Sequence, residues 1–204
     1  MKYAVVLSGG TGSRLGLEIP KQYYEVAGRP VVSYVLGTLL AYRELAGMVV
    51  VADEAWKNLI RAELADYPGK LGFAEPGANR QLSIYHALLA LREQMDIADE
   101  DVVLIQDAAR PNTSLLQISK CFEETEEHDG VVPVLPMKDT VYLSENGKTV
   151  TSLLKRSSVF AGQAPEAFRY GAYLRANEAL MPEQILAING STEPAVLAGM
   201  DIAM

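Results

Sequence analysis

A short apolar run, Tyr3-Ala4-Val5-Val6-Leu7, breaks without a spacer into Ser8-Gly9-Gly10-Thr11-Gly12-Ser13. An uninterrupted run of that kind predicts a strand buried on both faces, as in parallel sheets. The segment after it puts little side-chain bulk between the backbone and a ligand. A strand feeding such a turn can aim several N–H groups at phosphate oxygens. Arg14 and Lys21 add two full charges, and Pro20 stiffens the approach to Lys21. Glycines at 10, 12 and 16 give G-x-G-x-x-x-G, one residue too long for the dinucleotide fingerprint, and no G-K-[ST] follows to make an ATPase P-loop. The glycines alone would suit an ordinary strand-to-helix turn equally well. With Arg14 and the triplet Pro20-Lys21-Gln22 they point to a nucleotide site.

The chain after this loop alternates. Helical patterns at 30–42, 54–65, 81–94 and 114–128 separate apolar strand patterns at 48–52, 69–74, 101–106 and 130–135. Pro30 suits a first helical position. Strand–helix alternation predicts a parallel α/β sheet covered on both faces, with ligands at the carboxyl ends of the strands. The glycine loop and the Asp107 loop would then open on one edge. Near residue 140 the rhythm changes: 140–143 and 149–153 read as a β-hairpin with Asn146-Gly147 as its turn. A hairpin interrupting an α/β chain predicts an arm that covers a site or reaches a partner. The last residues, from Gly199, start a strand pattern and stop. The expectation is therefore one domain over 1–204, an arm at about 138–160, and a closing C-terminal segment absent from the sequence.

Composition narrows the function classes. The 204 residues carry a formal charge of −8, which argues against a broad nucleic-acid surface. It does not argue against a small phosphorylated ligand held by local cations. No apolar run is long enough for a membrane span. The apolar N-terminus is too short for a signal peptide and runs straight into the glycine loop, so a cytoplasmic location is expected. A single cysteine, Cys121, excludes an intramolecular disulfide and a cysteine zinc site, and reads as a packed core residue. His86 and His128 fall in helical patterns and read as surface or packing residues.

Asp107 lies at the end of an apolar run, beside Ala108 and Ala109. A carboxylate there can reach a Mg²⁺ ion that bridges phosphates, or can cap a turn. Together with Gly77-x-x-Arg80-x-x-Ser83, Asp107-Ala108-Ala109-Arg110-Pro111, Asp139-Thr140, Arg156 and Gln163-x-Pro165, the first loop and its triplet make an ordered set from residue 3 to about 170. In that set the chain resembles the CTP-dependent cytidylyltransferases of sugar and polyol phosphates, among them the 2-C-methyl-D-erythritol 4-phosphate and ribitol 5-phosphate enzymes. The resemblance implies a Rossmann-like nucleotidyltransferase fold of the nucleotide-diphospho-sugar transferase type, a three-layer α/β sandwich with a protruding arm.

The resemblance also implies roles. Arg14 and Lys21 would stabilise charge on the α-phosphate and the departing pyrophosphate. Ser8, Gly9, Gly10, Thr11, Gly12 and Ser13, with Gly77, Arg80 and Ser83, would hold CTP, and Asp107 would hold Mg²⁺. Arg110, Lys138, Thr140 and Arg156 would meet the acceptor, with Arg156 on its phosphate, for which a planar guanidinium is suited. The acceptor phosphate is ionised at neutral pH, so no general base is needed. Homodimerisation through the arm is expected as well.

Several positions depart from the family pattern. Gln106 replaces a histidine, Tyr142 replaces the lysine of the methylerythritol enzymes, and Gln163-Ala164-Pro165-Glu166 replaces Gln-Thr-Pro-Gln. Residues 189–193 replace an acidic segment. These changes leave the transfer chemistry and open the acceptor: methylerythritol phosphate by base rate, ribitol phosphate by the Thr140–Tyr142 pattern. The alternatives are another nucleotide on the same fold, or a nucleotide-binding module without turnover.

Overall fold

The computed structural model describes residues 1–10, 12 and 19–204. Its centre is a sheet built from β1 (Lys2–Leu7), β4 (Leu45–Val51), β5 (Lys70–Ala74), β6 (Val102–Asp107), β7 (Gly130–Val131), β12 (Glu166–Arg169) and β13 (Ile202–Ala203). The strand order is β13-β7-β12-β6-β1-β4-β5. β1 pairs parallel with both β4 and β6, and β4 with β5. β12 runs antiparallel to its neighbours β6 and β7, so the sheet is mixed where the alternation predicted a parallel one. The reason is that the arm, not a crossover helix, leads into β12, and the chain returns from it in the opposite direction.

The pleat divides the apolar runs between two cores. Ala4, Val6, Met48, Val50 and Leu104 face one side, where α1 (Val31–Ala41), α2 (Glu54–Glu63) and α4 (Leu115–Glu124) cover them. Tyr3, Val5, Val49, Val51, Val103 and Ile105 face the other, under α3 (Arg80–Gln94), α5 (Tyr170–Glu178) and α6 (Glu193–Leu197). This is the three-layer sandwich expected. Each fully buried aliphatic side chain in these layers contributes roughly 1.5–3 kcal/mol of burial. Cys121 packs in the first core, and burial pushes its thiol up to about 12, as an inert core residue requires.

Helix boundaries follow local chemistry. Ser114 forms a capping box with Gln117 and starts α4. Asn79 caps α3 by accepting from the Leu82 N–H at 2.8 Å. Pro30 lies one residue before α1, paired in a two-residue ladder of β2 (Glu25–Val26) with β3 (Arg29–Pro30), and is not the first helical residue. On the outer edge, Gln94 closes β5 with its side chain: its Nε2 donates to the Phe73 carbonyl at 2.9 Å, and its Oε1 accepts from the Phe73 N–H at 3.2 Å. Gly72 makes room, since a Cβ there would lie 2.5 Å from Gln94 Oε1.

The strand expected over 130–135 divides at Val132-Pro133. β7 stays in the main sheet, while β8 (Val134–Pro136) pairs with β11 (Phe160–Gly162) as the base of the arm. Further out, β9 (Tyr142–Leu143) pairs with β10 (Ser152–Leu153). Asn146-Gly147 therefore does not form a two-residue hairpin turn. It sits inside a longer loop, where Asn146 Oδ1 accepts from the N–H groups of Lys148 and Thr149, both at 2.9 Å, and Gly147 takes φ +69°. β13 pairs with β7 and forms the sheet edge beyond it.

Candidate active site

The register of the sheet assembles the site. Leu7, the last residue of β1, lies level with Val51 of β4 and with Asp107 of β6, and Val51 lies level with Ala74 of β5. The glycine loop, the 75–83 loop and the Asp107 loop therefore leave one edge of the sheet together. They enclose a cleft of about 510 Å³, lined among others by Gly9, Gly10, Lys21, Arg80, Asp107 and Arg110. Gln22, Gly77, Asn79 and Ser83 complete its walls.

The loops touch where side chains are missing. A Cβ on Gly9 would come within 2.5 Å of the Pro76 ring, and one on Gly77 within 2.7 Å of Leu82, so both glycines are required by close approach. The Ser83 hydroxyl accepts from the Gly77 N–H and donates to the Asn79 carbonyl, each at 2.9 Å, which folds the 77–83 loop on itself. Asn79 also donates from Nδ2 to the carbonyls of Ile185 and Leu186, at 2.9 and 3.1 Å, and so fastens this loop to the chain near α6.

Asp107 stands between two arginines. Arg80 donates to its Oδ1 from Nε and Nη2 at 3.2 and 3.0 Å, and Arg110 donates to Oδ2 from Nε at 3.1 Å. Arg110 Nη1 also reaches Gln163 Oε1 at 3.3 Å. Gln106, fully buried beneath, donates to the carbonyls of Asp107 (3.0 Å) and Arg110 (3.4 Å) and accepts from the Thr113 hydroxyl (3.2 Å). A neutral amide thus braces the loop from beneath. Glu166 lies behind, its carboxyl pushed up by burial and partly offset by a hydrogen bond from Ser191.

The predicted residues divide into three groups. Lys21, Gly9, Gly10, Gly77, Arg80, Ser83, Asp107 and Arg110 converge on the cleft. Thr11, Ser13 and Arg14 lie outside the described residues; Gly12 is described, with φ +69°. The remaining four are elsewhere. Ser8 is buried away from the cleft wall, its hydroxyl hydrogen-bonded to that of Tyr23 at 2.7 Å and its carbonyl already occupied, because the buried Tyr23 phenol needs a partner. Lys138, Thr140 and Arg156 are on the arm and do not line the cleft. Arg156 Nη1 instead donates to the Lys138 carbonyl at 3.1 Å, since the arm projects from β8 and β11 and not from the sheet edge.

Gln22 and Asn79 carry structural duties in the site that the sequence reading left unassigned. Asn79 had a signal: an asparagine directly before an apolar periodic run is a helix cap. His86 meets the Glu75 carbonyl at 3.0 Å and His128 meets Asp201 at 2.8 Å, both outside the cleft. The cleft can hold a polyanion: three cationic side chains and a glycine loop surround one carboxylate. Among the described residues no group of three or more His, Cys, Asp or Glu could hold a metal by itself. A magnesium ion still fits Asp107, because that ion needs only one or two carboxylates beside substrate oxygens. Asp107 Oδ2, which accepts a single hydrogen bond from Arg110, also keeps a further lone pair.

The profile of one family, IspD: 2-C-methyl-D-erythritol 4-phosphate cytidylyltransferase, matches residues 2–194. The chloroplastic 2-C-methyl-D-erythritol 4-phosphate cytidylyltransferase of Oryza sativa subsp. japonica is 32% identical over 165 residues, 81% of this chain and 54% of the rice protein. The chain thus matches about half the length of that relative. The ribitol-5-phosphate cytidylyltransferase of Streptococcus pneumoniae serotype 2 is 28% identical over 209 residues, covering 100% of this chain and 89% of its own. Among solved structures, the 4-diphosphocytidyl-2C-methyl-D-erythritol synthase of Anaerococcus prevotii superposes with a TM-score of 0.82 at 22% identity, over 100% of this chain and 87% of that one. That likeness is one of fold.

Proposed function

This chain belongs to the 2-C-methyl-D-erythritol 4-phosphate cytidylyltransferase family, and we propose that it joins CTP to a polyol phosphate, giving a CDP-polyol and pyrophosphate. The observation that supports this best is the convergence of Gly9, Gly10, Lys21, Arg80 and Asp107 on one strand-end cleft. The glycine loop receives the triphosphate. Lys21, with Arg14 seven residues before it in sequence, stabilises charge as the α-phosphate is attacked and pyrophosphate leaves. Ser83 and the Gly77 loop face the nucleoside. The acceptor phosphate attacks as its own anion, so no side chain has to remove a proton. Mg²⁺ on Asp107 would neutralise phosphate charge when bound. Arg80 and Arg110, which hold Asp107 in the structure, have guanidinium donors that phosphate oxygens can claim.

The arm carries the acceptor side of the proposal. Lys138, Thr140 and Arg156 meet the acceptor from the arm, and a homodimer forms through it. Leu135, Tyr142, Leu143, Leu153 and Phe160 are all exposed there, an apolar surface that a second copy would cover. A ribitol phosphate acceptor is favoured by Tyr142 at the position two after Thr140 and by the full-length match to the pneumococcal enzyme; methylerythritol phosphate is favoured by the family profile.

The test is pyrophosphate release from CTP, with and without Mg²⁺, against methylerythritol 4-phosphate, ribitol 5-phosphate, glycerol 3-phosphate and ribulose 5-phosphate. One strong, Mg²⁺-dependent responder is expected. A preference for UTP, ATP or GTP over CTP would overturn the cytidylyl reading.

A further inference from the structure

Gln22 lies in the single helical turn Lys21–Tyr23, on the cleft wall, and is only 3% exposed. Its Nε2 donates to two carbonyls of the glycine loop, Ser8 at 2.6 Å and Gly10 at 2.8 Å. Two acceptors facing one amide fix its orientation: only the NH₂ end can stand there, and both of its hydrogens are used. In a planar trans peptide the carbonyl and the next N–H point in opposite directions. Drawing the Ser8 carbonyl toward Gln22 therefore turns the Gly9 N–H away from it. Neither the Gly9 nor the Gly10 N–H donates to an acceptor among the described residues.

The turn that carries Gln22 is itself anchored. Tyr23 stacks on Trp56 with ring centroids 3.9 Å apart and planes 7° from parallel, and its hydroxyl meets that of Ser8. Gly12 closes the loop against the same turn, where a Cβ would come 3.1 Å from the Lys21 nitrogen. We infer that Gln22 is a positioning residue for the phosphate cradle: it gathers the loop's carbonyls on the protein side and leaves the loop's N–H groups to face an incoming triphosphate. The inference rests on the reading that a nucleoside triphosphate lies along this loop. It adds that the loop's polarity is set by one side-chain amide, not by the glycines alone.

The decisive comparison is between Gln22→Met, which keeps the length and removes both donors, and Gln22→Lys, which restores donors to the same place. Inorganic triphosphate and CTP binding would be measured by calorimetry, alongside KM for CTP and for the acceptor. Gln22→Met should weaken both ligands by about tenfold or more, as loss of two buried hydrogen bonds predicts. KM for the acceptor should stay within about twofold, because only the triphosphate uses the loop. Gln22→Lys should recover most of the loss. Wild-type affinity for inorganic triphosphate in folded Gln22→Met, an equal rise in both KM values, or no recovery in Gln22→Lys would overturn the inference. A measurement on the unaltered protein guards against a variant that does not fold: inorganic triphosphate should shift the Gly9 and Gly10 amide resonances, and unshifted resonances at saturation would likewise sink it. Triphosphate binding without any advantage for CTP would instead remove the cytidylyl reading and leave Gln22 its role.

Discussion

The two halves of the proposed reaction stand on different kinds of scaffold. Gly9, Gly10, Gly77 and Asp107 lie at or within three residues of the ends of β1, β5 and β6, strands of the main sheet locked in register, of which β1 and β6 are buried on both faces. Lys138, Thr140 and Arg156 stand on an arm whose paired strands are two or three residues long and whose large side chains face outward. A residue at the end of a central strand is placed by the whole sheet. A residue on the arm is placed by what the arm packs against. In the proposed reaction the strand-end residues would therefore stand in place before any ligand arrives, whereas the acceptor side would be completed by an encounter.

The largest effect that would test this contrast comes from the built half. Lys21→Ala should lower kcat by roughly 10²–10³, the usual loss when a positioned cation at the reacting phosphates is removed, with acceptor KM nearly unchanged in steady-state pyrophosphate assays. Next comes Arg156→Ala, expected to raise acceptor KM by roughly tenfold or more by removing a bidentate phosphate contact, while CTP binding by calorimetry stays as it was. Co-refolding the Lys21→Ala and Arg156→Ala subunits would sharpen the point. If one copy's arm serves the other's cleft, the mixture should regain about a quarter of full activity, since half the dimers hold one intact site of two. No recovery would place each arm over its own cleft.

A smaller effect separates loop order from chemistry. Asn79→Ala removes the cap of α3 and the tie to Ile185 and Leu186, and should cost about 1 kcal/mol, lowering Tm by about 2–4 °C in a chain of this size. The smallest effect lies far from the cleft. The hydrogen bond that His128 donates to the Asp201 carboxylate raises the pKa of His128, so folding holds that proton more tightly than the unfolded chain does. The stabilisation should be full below the ordinary histidine value and fade as pH rises through the raised one. In His128→Gln that part of the pH dependence of Tm should vanish.

The same contrast explains what could be read in the amino-acid order. Val5, Val49 and Ile105 sit in runs that can only be buried strands, and glycine or aspartate at the end of such a run announces a ligand loop before any coordinates exist. The antiparallel course of β12 was not legible, because its direction depends on how the arm returns the chain and not on Glu166–Arg169 themselves. Nor was the inward turn of Ser8, which is decided by Tyr23, fifteen residues on. Asn146-Gly147 spelled a tight turn, yet its surroundings made a wider loop. Thr140 and Arg156 could be recognised by resemblance, but no periodicity fixes where an arm comes to rest.

The Gln94 amide on the free side of β5 has a consequence for how this protein behaves in company. An outer strand normally offers its backbone to any extended peptide that drifts past, and proteins discourage this with charge, proline or a covering loop. Here one residue of α3 imitates the missing neighbour, presenting a donor and an acceptor in the order a strand would, and Gly72 leaves the gap it fits. The sheet ends in a stopper supplied from its own helix. A peptide drifting along that flank then finds the donor and acceptor of Phe73 already taken, inside the very strand it would have to pair with.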